Sequence, residues 1–97
     1  MRTPISDTIK NEGKKLTVAG WLHARRDHGK IIFIDLRDMT GLLQVVFTPK
    51  NESLYKAAEE LRPEWVVRIS GIVKARPENM KNPEIETGDF ELVAEGF

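Results

Sequence analysis

Cysteine is absent from these 97 residues. That rules out a disulfide framework and any thiolate metal site. Long apolar runs are absent as well. The uninterrupted one at the centre runs only from Ile31 to Ile34, whereas a membrane-crossing helix needs roughly 18 apolar residues. The start, Met1-Arg2-Thr3-Pro4, lacks the apolar stretch of a secretory signal. The expected compartment is therefore the cytoplasm, with no membrane partner. Net charge is missing too, since 15 Lys and Arg balance 15 Asp and Glu. Such a chain is no generic polycation, so it would not coat a phosphate backbone indiscriminately. Catalytic signatures are also lacking. No nucleophile elbow, phosphate-binding loop or dinucleotide fingerprint occurs. His23 and His28 have no partners at metal-ligand spacing. Asp35 and Asp38 sit three apart at a strand end and so point to different faces. No catalytic residue, metal or cofactor is expected here.

What is present is a globular composition, 40% hydrophobic and 31% charged. The length suits one domain. The charge is uneven along the chain. Residues 1–50 carry +4 and residues 51–97 carry −4. That dipole can present one local basic groove.

The organising stretch is Gly20 to Phe47, GWLHARRDHGKIIFIDLRDMTGLLQVVF. Side chains alternate across a strand, so Ile32, Ile34 and Leu36 define a core face. Ile31, Phe33, Asp35 and Arg37 then define an outer one. The outer face places a ring among charged groups, expected to stand exposed as a platform for a base. Before it, residues 15–26 read as a strand with Leu16, Val18, Gly20 and Leu22 inward. Its internal Gly20 marks a bend or a close backbone approach. After it, Asp38-Met39-Thr40-Gly41 reads as a tight turn with Gly41 at positive φ. Residues 42–48 form a third strand, with Leu43, Val45 and Phe47 on one face and Leu42, Gln44 and Val46 on the other. Residues paired through this turn should sum to about 77–79, which puts Gln44 beside Phe33 or nearly so.

Residues 1–14 read as an N-terminal helical extension. Its short helix, residues 5–11, is capped by Ser6 and plugs one end of the core. Residues 52–62 read as a helix with Leu54, Ala57, Ala58 and Leu61 on one stripe. Asn51 or Ser53 caps it and Pro63 ends it. Residues 65–76 form a fourth strand bent at Gly71. A polar loop covers 77–88, and residues 90–94 form the fifth strand. The order is three strands, a helix, then two strands. The expected fold is all-β with short helices: a five-stranded OB-fold Greek-key barrel, helix between strands 3 and 4. The end just past the fifth strand reads as the edge of an excised domain, with a free-standing protein as the alternative.

Each candidate residue has a plain structural reading beside the functional one. Phe33 either stacks on a base or fills core. Gln44 offers a donor and an acceptor to a base edge, or is merely solvated. Arg25 and Arg26 suit phosphate and base edges, or form salt bridges with Asp27, Asp35 or Asp38. Arg76 and Asn82 border the same groove, with Lys74 as a basic neighbour. Glu91 is an acceptor for a guanine edge, or an ordinary strand carboxylate.

The stretch GWLHARRDHGKIIFIDLRDMTGLLQVVFTP resembles the anticodon-binding domain of bacterial-type aspartyl-tRNA synthetases. The likeness continues through AAEELRPEWVV, ISGIVKARPE and NPEIETGDFEL, and so covers essentially the whole chain. The resemblance implies a class II, ATP-dependent ligase. ATP and magnesium would serve a separate, larger catalytic domain lacking here, and the parent family is homodimeric. The domain alone would be a monomer whose partners are the tRNA anticodon loop and that catalytic domain. Carried over, Phe33 stacks on the central anticodon base and Gln44 hydrogen-bonds it. Arg26 holds the loop, Glu91 reads the first base, and Arg76 and Asn82 lie near the third. Arg25, His28 and Lys74 are candidates for loop contact or discrimination. The family often carries a third arginine where Ala24 stands, and Arg where Lys74 stands. A His at position 28 resembles forms that accept both aspartate and asparagine tRNAs. Two other function classes remain open at this point: a general single-strand binder, and a protein-interaction domain of the same fold.

Overall fold

The computed structural model describes residues 3–85 and 87–96. Five strands close a barrel: β1 (Lys15–His28), β2 (Ile31–Asp38), β3 (Gly41–Phe47), β4 (Val66–Ala75) and β5 (Phe90–Gly96). Their order around the barrel is β1-β2-β3-β5-β4, and β4 returns to β1. All neighbours are antiparallel except β3 and β5, which run parallel. One helix, α1 (Glu52–Glu59), lies between β3 and β4. This is the expected OB-fold architecture.

Closure depends on β1 serving two neighbours. Its first half, Lys15 to Trp21, pairs with β4, and its second half, from Trp21, pairs with β2. The exchange occurs at Gly20, where a Cβ would lie 2.2 Å from the Arg37 carbonyl oxygen. Gly71 plays the same part in β4, since a Cβ there would lie 2.3 Å from the Val93 carbonyl oxygen. Only glycine lets two backbones approach this closely.

The core faces follow the alternation. Val18 and Leu22 of β1, Ile32, Ile34 and Leu36 of β2, and Leu43, Val45 and Phe47 of β3 are at most 1% exposed. Ile69, Val73 and Leu92 complete the interior. Each such side chain contributes about 1.5–3 kcal/mol by leaving water.

Several local expectations are corrected. The short N-terminal helix is present, as a 3-10 helix over Ile5–Lys10, but Ser6 does not cap it. Ser6 N–H instead donates to Thr40 Oγ1, while Ile5 N–H donates to Asp38 Oδ2 at 3.0 Å. Ile5 still plugs the barrel end, fully buried. Gly41 does not take positive φ; Gly29, in the turn before β2, does, at 60°. The β2–β3 turn is held instead by the Asp38 carboxylate. It accepts from Thr40 N, Thr40 Oγ1 and Gly41 N at 2.6–3.1 Å. Helix α1 stops at Glu59, before the anticipated Arg62, and Ala57 faces solvent. Asn51 is its cap, accepting from Leu54 N–H at 3.2 Å. The loop after β4 contains a 3-10 turn, Glu78–Met80.

Candidate nucleic-acid interface

The outer face of β2, β3 and β5 carries an unusual residue set for a barrel exterior. Register fixes it. Phe33 lies opposite Val46 and Arg26, Asp35 opposite Gln44, and Gln44 opposite Glu91. The β2–β3 pairing sums to 79. Gln44 is thus one step diagonal from Phe33, on its face, as the turn arithmetic allowed.

Gln44 is the hub. Its Oε1 accepts from Arg26 Nη2 at 3.1 Å and from Arg76 Nη1 at 3.3 Å. Its Nε2 donates to Glu91 Oε1 at 3.0 Å. Two cations on one side and a carboxylate on the other fix the amide's orientation. Its oxygen is fully used, so toward a ligand Gln44 has only an N–H to give. The residue is 2% exposed, so it is no solvated strand glutamine.

The partners are held in turn. Arg26 forks onto Asp35, with Nη1 to Oδ2 at 2.6 Å and Nη2 to Oδ1 at 3.1 Å. That hydrogen bond raises the Arg26 pKa against the cost of burial. Arg76 donates from Nε to the Phe90 carbonyl at 2.8 Å and from Nη1 to the Met80 carbonyl at 3.2 Å. It is 7% exposed. Burial lowers its pKa, while Glu91 and Asp35 work the other way. Burial raises the pKa of Glu91, opposed by the Gln44 hydrogen bond and by the charges of Arg76 and Lys74. Lys74 stands opposite Glu91 on β4 with its side chain in solvent. The loop after β4 is pinned over this end by Thr87, whose hydroxyl donates to the Leu42 carbonyl.

Phe33 points outward as its alternation required, but it is not the expected exposed platform. It is 7% exposed. Its neighbours explain why: Val46 lies opposite it, and the His28 ring stands perpendicular to it, centroids 5.8 Å apart. His28 itself is exposed.

Two candidates lie outside the cluster. Arg25 alternates to the other side of β1. It forks onto Asp27 at 2.9 and 3.0 Å and donates to the Ala58, Glu59 and Leu61 carbonyls at the end of α1. Its position is that of a helix cap. Asn82 sits in the loop, and its Oδ1 accepts from Glu84 N–H at 3.0 Å. Asp35 was missed as a site residue. Its place on the Phe33 face and the turn sum pointing at Gln44 were the signals that could have found it. Among the described residues, no group of three or more His, Asp or Glu could hold a metal, and no helix is long and apolar enough to cross a membrane.

Comparison with known proteins yields three kinds of likeness. A family model described as an OB-fold nucleic acid binding domain matches residues 16–97. The aspartate–tRNA(Asp/Asn) ligase of Moorella thermoacetica is 52% identical over 90 residues, covering 93% of this chain and 15% of that ligase. The ligase of the same name from Halothermothrix orenii is 56% identical over 81 residues, covering 82% and 14%. The chain therefore spans about one seventh of the length of these relatives. Among solved structures, asparaginyl-tRNA synthetase from Pyrococcus horikoshii superposes with a TM-score of 0.80 at 30% identity, covering 98% of this chain and 21% of that one. Aspartyl-tRNA synthetase from Entamoeba histolytica gives a TM-score of 0.86 at 20% identity, over 99% and 20%, a likeness of fold alone.

Proposed function

Because the chain belongs to the OB-fold nucleic acid binding domain family, we propose that it reads the anticodon loop of tRNA(Asp), and of tRNA(Asn), as one module of an aspartate–tRNA ligase. The observation that carries this reading is the hub: Arg26, Gln44, Arg76 and Glu91 converge on one outer face beside Phe33. Fixed donors, one carboxylate and a ring are what base-edge recognition requires. The relatives' names give both tRNAs.

In this reading Phe33 stacks on the central base. His28 must first leave the ring. The exchange favours the base, since stacking yields about 1–3 kcal/mol and a ring pair at most about 0.5–1.5 kcal/mol. Gln44 donates to the central base from Nε2, and Glu91 accepts from the first. Lys74 supplies charge to the loop, while Arg26, paired with Asp35, holds the Gln44 amide toward it. Arg76 and Asn82 lie at the end of the groove where the third base falls. Arg25 caps α1 and has no part in reading. The domain binds and the rest of a ligase-length chain catalyses. Affinity is micromolar or weaker at physiological salt, since the surface is small.

The test is fluorescence anisotropy with two anticodon stem-loops, one carrying GUC and one with its central base changed. The GUC loop binds more tightly, and Phe33→Ala removes the difference. Equal binding of both loops with strong salt dependence would make this a general single-strand binder. No binding would leave a protein-interaction domain.

A further inference from the structure

We propose that Asp35 is a positioning residue that sets base discrimination by holding Arg26 against Gln44. The inference rests on the anticodon reading above and adds a residue to it. Its basis is the way a single guanidinium is shared. Arg26 gives Nη1 and Nη2 to the two Asp35 oxygens, and the same Nη2 also reaches Gln44 Oε1 at 3.1 Å. A guanidinium is a rigid planar fork. Once its paired N–H groups are gripped by a carboxylate, the second N–H of Nη2 has one direction left, and Gln44 lies along it. Asp35 is placed for this by register, directly opposite Gln44.

The consequence lies in the amide. With Arg26 and Arg76 both on Oε1, and Glu91 on Nε2, the Gln44 side chain cannot turn over. It meets a base as a donor only. A base edge presenting a carbonyl oxygen, as uracil does, is accepted. An edge presenting an amino group in the same place, as cytosine does, leaves two donors facing each other. Without the Asp35 carboxylate, Arg26 is free to leave Gln44 for the phosphate backbone. The domain then gains charge for any loop, while the amide, held only by Arg76 and Glu91, tells loops apart less sharply.

The experiment measures affinities of the 97-residue chain and its Asp35→Asn variant for two stem-loops, with uridine or cytidine at the centre of the anticodon, across a salt series. The expected result is a drop of about tenfold in the uridine-to-cytidine affinity ratio, the lower end of one charge-assisted contact. The salt slope steepens by about 0.7, as for one more phosphate contact to a single strand. Arg26→Lys gives the same loss of ratio, because an ammonium cannot grip Asp35 and Gln44 with one fork. It decides the matter if the Asp35 variant does not fold. A purely structural Asp35 would lower both affinities together and keep the ratio. That result, or an unchanged ratio in Arg26→Lys, overturns the inference while leaving anticodon reading intact. A wild-type chain that binds both loops equally overturns the anticodon reading, and this inference falls with it.

Discussion

Replacing Gln44 with Ala removes the one side chain that touches both arginines and Glu91. Three hydrogen bonds to charged groups are lost. At about 1.5–3 kcal/mol each their sum would be severe, but the geometry says the sum is wrong. Arg26 keeps its fork on Asp35, and Arg76 keeps the Phe90 and Met80 carbonyls. Neither arginine is orphaned. Glu91 is different, since the Gln44 amide is its hydrogen-bond donor and burial already disfavours its charge. The cost is therefore concentrated in one part-buried carboxylate that loses its amide donor and keeps only the charges of Arg76 and Lys74, about 2 kcal/mol. For a domain of this size that lowers Tm by roughly 8–16 °C. Urea denaturation of the variant measures it. The sharper check is the double variant Gln44→Ala with Glu91→Gln. Neutralising the stranded carboxylate should return part of the lost stability, so that the double variant is more stable than Gln44→Ala alone. Two results would refute the reasoning: a loss under about 0.5 kcal/mol for the single variant, or no recovery in the double.

Three further outcomes are expected. Arg25→Ala removes three hydrogen bonds to the Ala58, Glu59 and Leu61 carbonyls, but Arg62 and the Leu61 N–H still donate to them. The cost is therefore about 0.5–1.5 kcal/mol by denaturation, while anisotropy shows unchanged affinity for the GUC loop. Gly71→Ala drives a Cβ into the Val93 carbonyl and destabilises the barrel by more than about 2 kcal/mol, read as a lower urea midpoint. Asp38 sets part of the acid limb. Burial pushes its pKa up, but the hydrogen bonds from Thr40, Ile5 and Gly41 outweigh it, and the net shift is downward from 3.8. A depressed carboxylate stabilises the fold above its ordinary pKa, and that stability is lost as pH falls through the folded value. Asp38→Asn should thus be less stable at neutral pH and show a flatter decline below pH 3.8 in a Tm-against-pH series.

The barrel was legible because its strands are strongly periodic. Ile32, Ile34 and Leu36 against Phe33 and Asp35 is a pattern no helix would make. Gly20 and Gly71 announced the two close approaches. The turn at Gly41 misled because glycine suggested positive φ, while the Asp38 side chain met the turn's backbone N–H groups without it. Helix α1 was read too long because Leu61 lies on its stripe. Leu61 is indeed buried, but beyond the last helical turn. At the site, the face could be assigned and the depth could not. Alternation says that Phe33 and Gln44 point outward. It does not say that Val46 and His28 flank Phe33 or that Arg26, Arg76 and Glu91 close around Gln44. Nor does spacing distinguish Arg25 from Arg26. Adjacent residues point to opposite sides of β1, so one arginine meets Gln44 and the other meets the end of α1.

The most direct measurement is an amide NMR titration of the 97-residue chain with the GUC stem-loop, beside the loop with a changed central base. The account predicts shifts at Arg26, Phe33, Gln44 and Glu91 and in the loop after β4, with the GUC loop alone producing the full set. Side-chain amide signals of Gln44 should move, while the backbone of α1 and Arg25 stays still. Equal shifts with both loops, or shifts centred away from the Gln44 hub, would contradict it.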